Sequence, residues 1–356
     1  MEYFENYVSN TTAGSGNQSW FAPEDANKVQ KAIVFFKLTV RGKLNYSLLY
    51  SNIVDSTFAD GTHSHCNMVC EEWRIHSLRL ATCDAIDITA CKNWNPCTFN
   101  GELEKSVHPG EMFATDPLLI DGKTYLAIEI TFSGSMLPHH PESIVSGFVA
   151  GENGWEESTY FPYPSMIGVE REVKTRIGFW GDSITQGIGT EKDSYTHWNA
   201  VCAGILGDDY SYWNLGIGYA RARDAASCGA WAYKAGKVDV LVLTFGVNDL
   251  YHDKDKEALK KNIETIVTEA KNRGQKVVLQ TIPPFDYEGE VDENWRDVNC
   301  YVREVLAPRC DLFFDNVPIL GKEAPHENES CFGGHPNAEG CKLWGEALAK
   351  AIQEII

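Results

Sequence analysis

The chain has 356 residues, 43% of them hydrophobic and 23% charged, with a formal charge of −19 at pH 7. That length suits two domains better than one core, and no apolar run approaches the ~18 residues a membrane span needs. The negative charge argues against nucleic acid or anionic membrane as partners and favours neutral or cationic ones.

The opening stretch MEYFENYVSN has no basic or apolar segment of the kind that begins a secretory leader. Eleven cysteines, an odd number scattered among apolar positions, fit a reducing compartment better than a disulfide framework. A cytoplasmic protein is expected.

Residues 1–168 lack long helical periodicity and read as β-structure. Short runs at 31–40, 44–50, 73–81, 112–119 and 124–132 are rich in β-branched and aromatic residues. Gly, Asp, Asn and Pro punctuate them, which predicts an antiparallel β-sandwich of jelly-roll type. Residues 160–166 (YFPYPSM) read as an extended connector.

From about 172 the pattern changes. Buried strands are predicted at 176–180, 210–214, 238–244, 276–281 and 312–314, and helices at 194–206, 223–234, 256–272, 293–306 and 338–355. Repeated βα units of this length give a parallel sheet with helices on both faces. The expected architecture is therefore α/β: a three-layer α/β/α domain over 169–356, preceded by the sandwich over 1–168.

Four segments of the second half fall at the ends of predicted strands or in late loops. Gly181-Asp182-Ser183 follows the first strand, Asn214-Leu215-Gly216 the second, and Gly246-Val247-Asn248-Asp249 the third. His335, in Gly334-His335-Pro336-Asn337, precedes the last helix. All four point to one rim of the sheet, where open α/β sheets bind their ligands. A serine hydroxyl is a weak nucleophile that needs a base within hydrogen-bond reach, and His335 can serve Ser183 near neutral pH. The oxyanion so formed needs fixed donors, for which the N–H groups of Ser183 and Gly216 and the side-chain amide of Asn248 are candidates.

In order and context these four segments resemble the four sequence blocks of the SGNH (GDSL) hydrolase superfamily. A β-sandwich ahead of such a domain is similar to the family 2 carbohydrate esterases. The resemblance implies a serine esterase that removes short acyl groups, acetate foremost, from O-acylated sugars or oligosaccharides, without metal or organic cofactor. A lipid-directed esterase or lysophospholipase is the alternative within enzymes. A carbohydrate-binding protein with a decayed hydrolase domain is the alternative outside them. Homo-oligomerisation is left open.

One position departs from the superfamily pattern. The acid expected three residues before the histidine is Phe332 here. Either a backbone carbonyl in the 329–334 loop orients His335, or another acid such as Glu329 or Asp315 substitutes. Asp182 and Asp249 read as turn-holding carboxylates that accept local N–H groups. His326 could mimic the base, but lacks the Pro-Asn that follows His335.

Other signals have plainer readings. His63-Ser64-His65-Cys66 with Cys70 resembles a metal set in composition but lacks a second ligand pair, so a polar loop is expected and no metal site. His197 and Trp198 read as helix-face and core residues. Trp180, Tyr219 and Phe285-Asp286-Tyr287 lie near strand ends, where aromatics either form a platform for a sugar ring or close the core.

Overall fold

The computed structural model describes residues 2–56, 66–321 and 334–356. They divide into two compact units, one from 1–55 and 67–172, the other from 56–66 and 173–356. A cut at 168 would divide the strand Met166–Glu170, which pairs antiparallel with both Tyr7–Ser9 and Gly42–Ser51.

The first unit is built on antiparallel ladders. One sheet orders Tyr7–Ser9, Met166–Glu170, Gly42–Ser51 and Met112–Ala114, with Leu118–Gly122 also paired to Gly42–Ser51. A larger sheet has Gln30–Lys37, Tyr125–Gly134 and Trp73–Cys83 at its centre. The run predicted as one strand at 112–119 is two, Met112–Ala114 and Leu118–Gly122. Pro117 cannot donate to a ladder. Asp116 beside it turns its carboxylate onto the Asn100 and Gly101 N–H groups at 3.0 and 2.8 Å.

The second unit carries a five-stranded parallel sheet in the order Ser211–Asn214, Arg176–Gly181, Val240–Thr244, Lys276–Gln280, Leu312–Phe314. The chain reverses its direction of travel between the Arg176–Gly181 and Val240–Thr244 strands. The carboxyl ends of two strands at such a reversal are the usual binding position in open sheets. All of Val240–Thr244 is buried, as expected of a parallel strand covered on both faces.

The helix Lys256–Asn272 buries Leu259, Ile263, Ile266, Val267 and Ala270, one face of a 3.6-residue period. Asp255 caps it by accepting from Ala258 N–H at 3.0 Å. The helix expected from 293 begins at Gly289, and two others differ from the sequence reading for local reasons. The helix expected from 194 begins at Trp198, because Asp193 and Tyr195 take positive φ and the Ser194 hydroxyl holds a local turn on Glu191 O (2.6 Å). The one expected over 223–234 is broken into Ala222–Ala226 and Ala230–Ala235 by Cys228 at φ 59°.

Trp198 stacks on Trp344 of the last helix, Ala338–Ile352, with ring centroids 4.6 Å apart and 12° between planes. The Trp344 indole N–H donates to Gln280 Oε1 at 2.7 Å. This contact ties two helices to the end of a sheet strand. Trp344→Ala is expected to lower unfolding free energy by about 3–5 kcal/mol, read as a reduced midpoint in chemical denaturation.

Candidate active site

Ser183 stands immediately after the strand Arg176–Gly181 and opens a one-turn helix, Ser183–Gln186. The first N–H groups of a helix have no partner within it. Asp182 caps the turn, its Oδ1 accepting from Ile184 N–H at 3.0 Å.

The turn is pinned at its other end by side chains from one helix and one strand. Trp198 Nε1 donates to Ile184 O at 3.0 Å, Asn199 Nδ2 to Thr185 O at 2.6 Å, and Asn214 Nδ2 to Gln186 O at 3.3 Å. Gln186 in turn accepts the Gly218 N–H on its side chain at 2.6 Å. A helix this short is not stable alone. Its carbonyls are satisfied from outside, and Ser183 is fixed in place by that.

His335 meets it from the far end of the chain. Ser183 Oγ and His335 Nε2 are 2.8 Å apart, within the range of a nucleophile and its base. Gly189, at φ +101°, makes the approach possible: a Cβ there would stand 2.5 Å from Pro336 O and 2.8 Å from His335 Cβ. Directly after His335, Asn337 caps the last helix, accepting from Gly340 N–H at 2.9 Å.

Asn248 is nearly buried, at 9% exposure like Ser183. Its side-chain amide donates one hydrogen to Ala220 O at 3.1 Å, and the Nδ2 atom carries a second. The loop that supplies Ala220 is stapled to the turn that follows Asn248. Ala222 N–H donates to both oxygens of Asp249 at 3.1 Å, and the fully buried Arg221 pairs its Nε with Asp253 at 3.1 Å.

Gly216 requires a correction. Its N–H, expected to be a third oxyanion donor, is taken by Asn214 Oδ1 at 2.9 Å in an Asx-type turn. The glycine is needed there for another reason. A Cβ at Gly216 would fall 2.5 Å from the Thr185 carbonyl carbon and closer still to Gln186 N. Gly216 is thus the place where the second loop lies directly on the nucleophile turn.

Two aromatic candidates are also corrected. Trp180 is 1% exposed and packs edge-to-face on Trp231 and Phe245 at 5.3 and 5.7 Å, so it closes the core. Tyr287 is equally buried, against Trp295, Tyr251 and Phe285, and cannot offer a face to a sugar. Tyr219 remains half-buried at the rim, at φ +61° and 6.2 Å from the His252 ring. His197 and Trp198 are fully buried, as expected.

Asp315 does not serve His335. Its oxygens accept from Arg303 Nε and Nη2 at 2.9 and 3.2 Å, with Thr281 Oγ1 and Val317 N–H as further donors at 3.1 Å each. Phe332, Glu329, His326, His63 and His65 lie outside the described residues. Cys66 belongs to the second unit, where its Sγ lies 3.7 Å from Asp224 O and Ser227 Oγ, whereas Cys70 is buried in the first. Among the described residues no cluster of three or more His, Cys, Asp or Glu is placed to hold a metal ion.

Burial pushes the carboxyls of Asp182 and Asp249 up to about 7, and the charges of Asp253, Asp224 and Asp182 add to the effect at Asp249. Both hold the turn, as expected of them, but they do so largely protonated in mildly acidic solution. Sequence reading passed over Trp198, Asn199, Asn214 and Gln186 as supports of the nucleophile; the only signal was the density of amide side chains around the two strand ends.

Residues 179–343 match the model of the GDSL-like Lipase/Acylhydrolase family. An acetylxylan esterase of Xylanibacter ruminicola is 24% identical over 250 residues, 58% of this chain and 51% of the relative. The chain thus matches about half the length of that curated relative. Among solved structures, the acetylxylan esterase Axe2 of Geobacillus stearothermophilus superposes with TM-score 0.42 at 19% identity, covering 51% of this chain and 95% of its own. A member of the lipolytic G-D-S-L family from Veillonella parvula gives TM-score 0.43 at 20% identity, with coverages of 51% and 99%.

Two outcomes are expected of this geometry. Gly216→Ala should displace the nucleophile turn and cost about 1–3 kcal/mol, measured by denaturation, with slower labelling of Ser183 by a fluorophosphonate. Asp182 keeps its proton in the folded chain to about pH 7, whereas an unfolded Asp releases it near ~3.9. Between those values the folded state binds more protons, so this stability is full below ~pH 4 and is lost as pH rises through about 7. Asp182→Asn should make the fall of Tm across that window shallower.

Proposed function

Residues 179–343 form a GDSL/SGNH acylhydrolase domain, and from that premise we propose that the protein is a serine esterase acting through an acyl-enzyme on Ser183. The observation that carries the reading is the 2.8 Å pair of Ser183 Oγ and His335 Nε2. With the imidazole proton on Nδ1, Nε2 accepts the Ser183 hydroxyl proton as Oγ bonds to the ester carbonyl carbon. The oxyanion is received by the Ser183 N–H and the second Asn248 amide hydrogen. Gly216 N–H joins them only by sharing its hydrogen with Asn214 Oδ1.

Collapse of the tetrahedral species breaks the bond to the alcohol, which leaves with the proton from His335 Nε2. Water then attacks the acyl carbon, gives its proton to the same nitrogen, and releases the acid as Ser183 recovers its hydrogen. No step calls for a metal or an organic cofactor.

The substrate we propose is a short acyl ester, acetate foremost, of a carbohydrate. The support is the name of the Xylanibacter relative, an acetylxylan esterase, together with the half-buried aromatic rim of Tyr219, Tyr251 and Phe285 around the site. We read the antiparallel unit as a jelly-roll-like accessory domain and the protein as cytoplasmic, the latter on its cysteine usage.

Aryl esters of increasing chain length test the reading directly. Hydrolysis should be fastest for acetate, fall steeply with length, and drop at least ~10³-fold in Ser183→Ala. Asn248→Ala should cost roughly 10²–10³ in kcat with KM little changed. Turnover that survives Ser183→Ala would overturn the mechanism, and rates rising with chain length would overturn the substrate class.

A further inference from the structure

Resting on the esterase reading, we infer that Phe285 is the positioning residue for the catalytic imidazole, held against His335 in a perpendicular aromatic contact that fixes the plane of the base. The two ring centroids are 5.1 Å apart and their planes meet at 77°. That is the edge-to-face geometry aromatic pairs prefer.

The contact extends to the backbone before the histidine. Gly334 is at φ +81°, and a Cβ there would lie 2.6 Å from Phe285 Cδ1 and Cε1. The ring therefore lies directly on the Gly334 backbone as well as beside the His335 ring. It governs both the entry of the chain into His335 and the orientation of the side chain.

Phe285 is itself braced from behind. Tyr251 packs edge-on at 5.6 Å and Tyr287 at 5.9 Å, and Tyr287 rests in turn on Trp295 at 5.6 Å. The Tyr251 hydroxyl donates to Asp286 O, which anchors the segment carrying Phe285 to the turn that follows Asn248. One aromatic cluster thus links the segment after the fourth strand, the oxyanion-side turn and the base.

Without the ring, the imidazole gains freedom to rotate about its Cα–Cβ and Cβ–Cγ bonds. A well-aligned proton acceptor is worth more in the transition state than in the substrate complex, so loss of the support falls on kcat rather than on KM.

The experiment compares Phe285→Leu and Phe285→Tyr with the wild-type chain, using a small aryl acetate and, separately, the rate of Ser183 labelling by a fluorophosphonate. Phe285→Leu keeps apolar bulk but removes the ring face; Phe285→Tyr keeps it. The expected result is a 10- to 100-fold lower kcat per folded molecule in the leucine variant, with KM within about twofold, slower labelling in proportion, and recovery in the tyrosine variant.

A leucine variant with unchanged kcat and labelling would overturn the inference. So would a change confined to KM, which would make Phe285 a wall of the substrate pocket, or a loss fully accounted for by unfolding in a thermal melt. Absence of labelling in the wild-type protein would instead strike the esterase reading itself, so the two failures are distinguishable.

Discussion

The hydrogen bond between Ser183 and His335 joins residues 152 positions apart in the chain. Nothing local favours it, since closing so long a loop costs conformational entropy that one hydrogen bond does not recover. It exists because the parallel sheet fixes Ser183 at the end of one strand. The last helix, packed through Trp344 on Trp198 and Gln280, then holds the segment that delivers the base. Each other feature of the site serves that distance: the Asp182 cap, the glycine at 189 that lets the two segments close, and the amide side chains that hold the nucleophile turn.

The same arrangement explains the behaviour of the acidic residues. Asp182 and Asp249 lie where a carboxylate is costly, and each is held by backbone N–H groups rather than by a cation. Arg221 is fully buried and forms an ion pair with Asp253. The site therefore holds its turns with neutral or nearly neutral carboxyls in mildly acidic solution. This leaves the surroundings of His335 less negative than a count of nearby acids suggests.

Much of this was legible in the chain alone, and for identifiable reasons. Parallel strands buried on both faces appear as short continuous apolar runs, so the strands at 176–180, 276–281 and 312–314 could be placed within a residue of their observed ends. Ser183, Asn248 and His335 could be singled out as candidates because the chemistry restricts residue type at strand ends and in the loop before the last helix. What was not readable depends on contacts between loops. Periodicity cannot distinguish a tryptophan that presents its face to a ligand from one that closes the core, and Trp180 was left open for that reason. Nor can it show that Gly216 is required by the backbone of Thr185 and Gln186 rather than by an anion, or that Asp193 and Tyr195 adopt left-handed backbone and delay a helix.

The nucleophile turn, with its carbonyls held by Trp198, Asn199 and Asn214, bears on how such a site can diverge. Changing Trp198, Asn199 or Asn214 unmakes a hydrogen bond to the turn, as does changing Gln186, whose side chain accepts from Gly218 N–H, so these positions have little freedom to vary. Tyr219 is half-buried beside the His252 ring, outside the set of side chains that hold the turn. Substitutions there alter the space offered to an acyl or alcohol group at a smaller structural cost. On the esterase reading proposed above, ester preference can drift at Tyr219 while the Ser183 hydroxyl stays where it is.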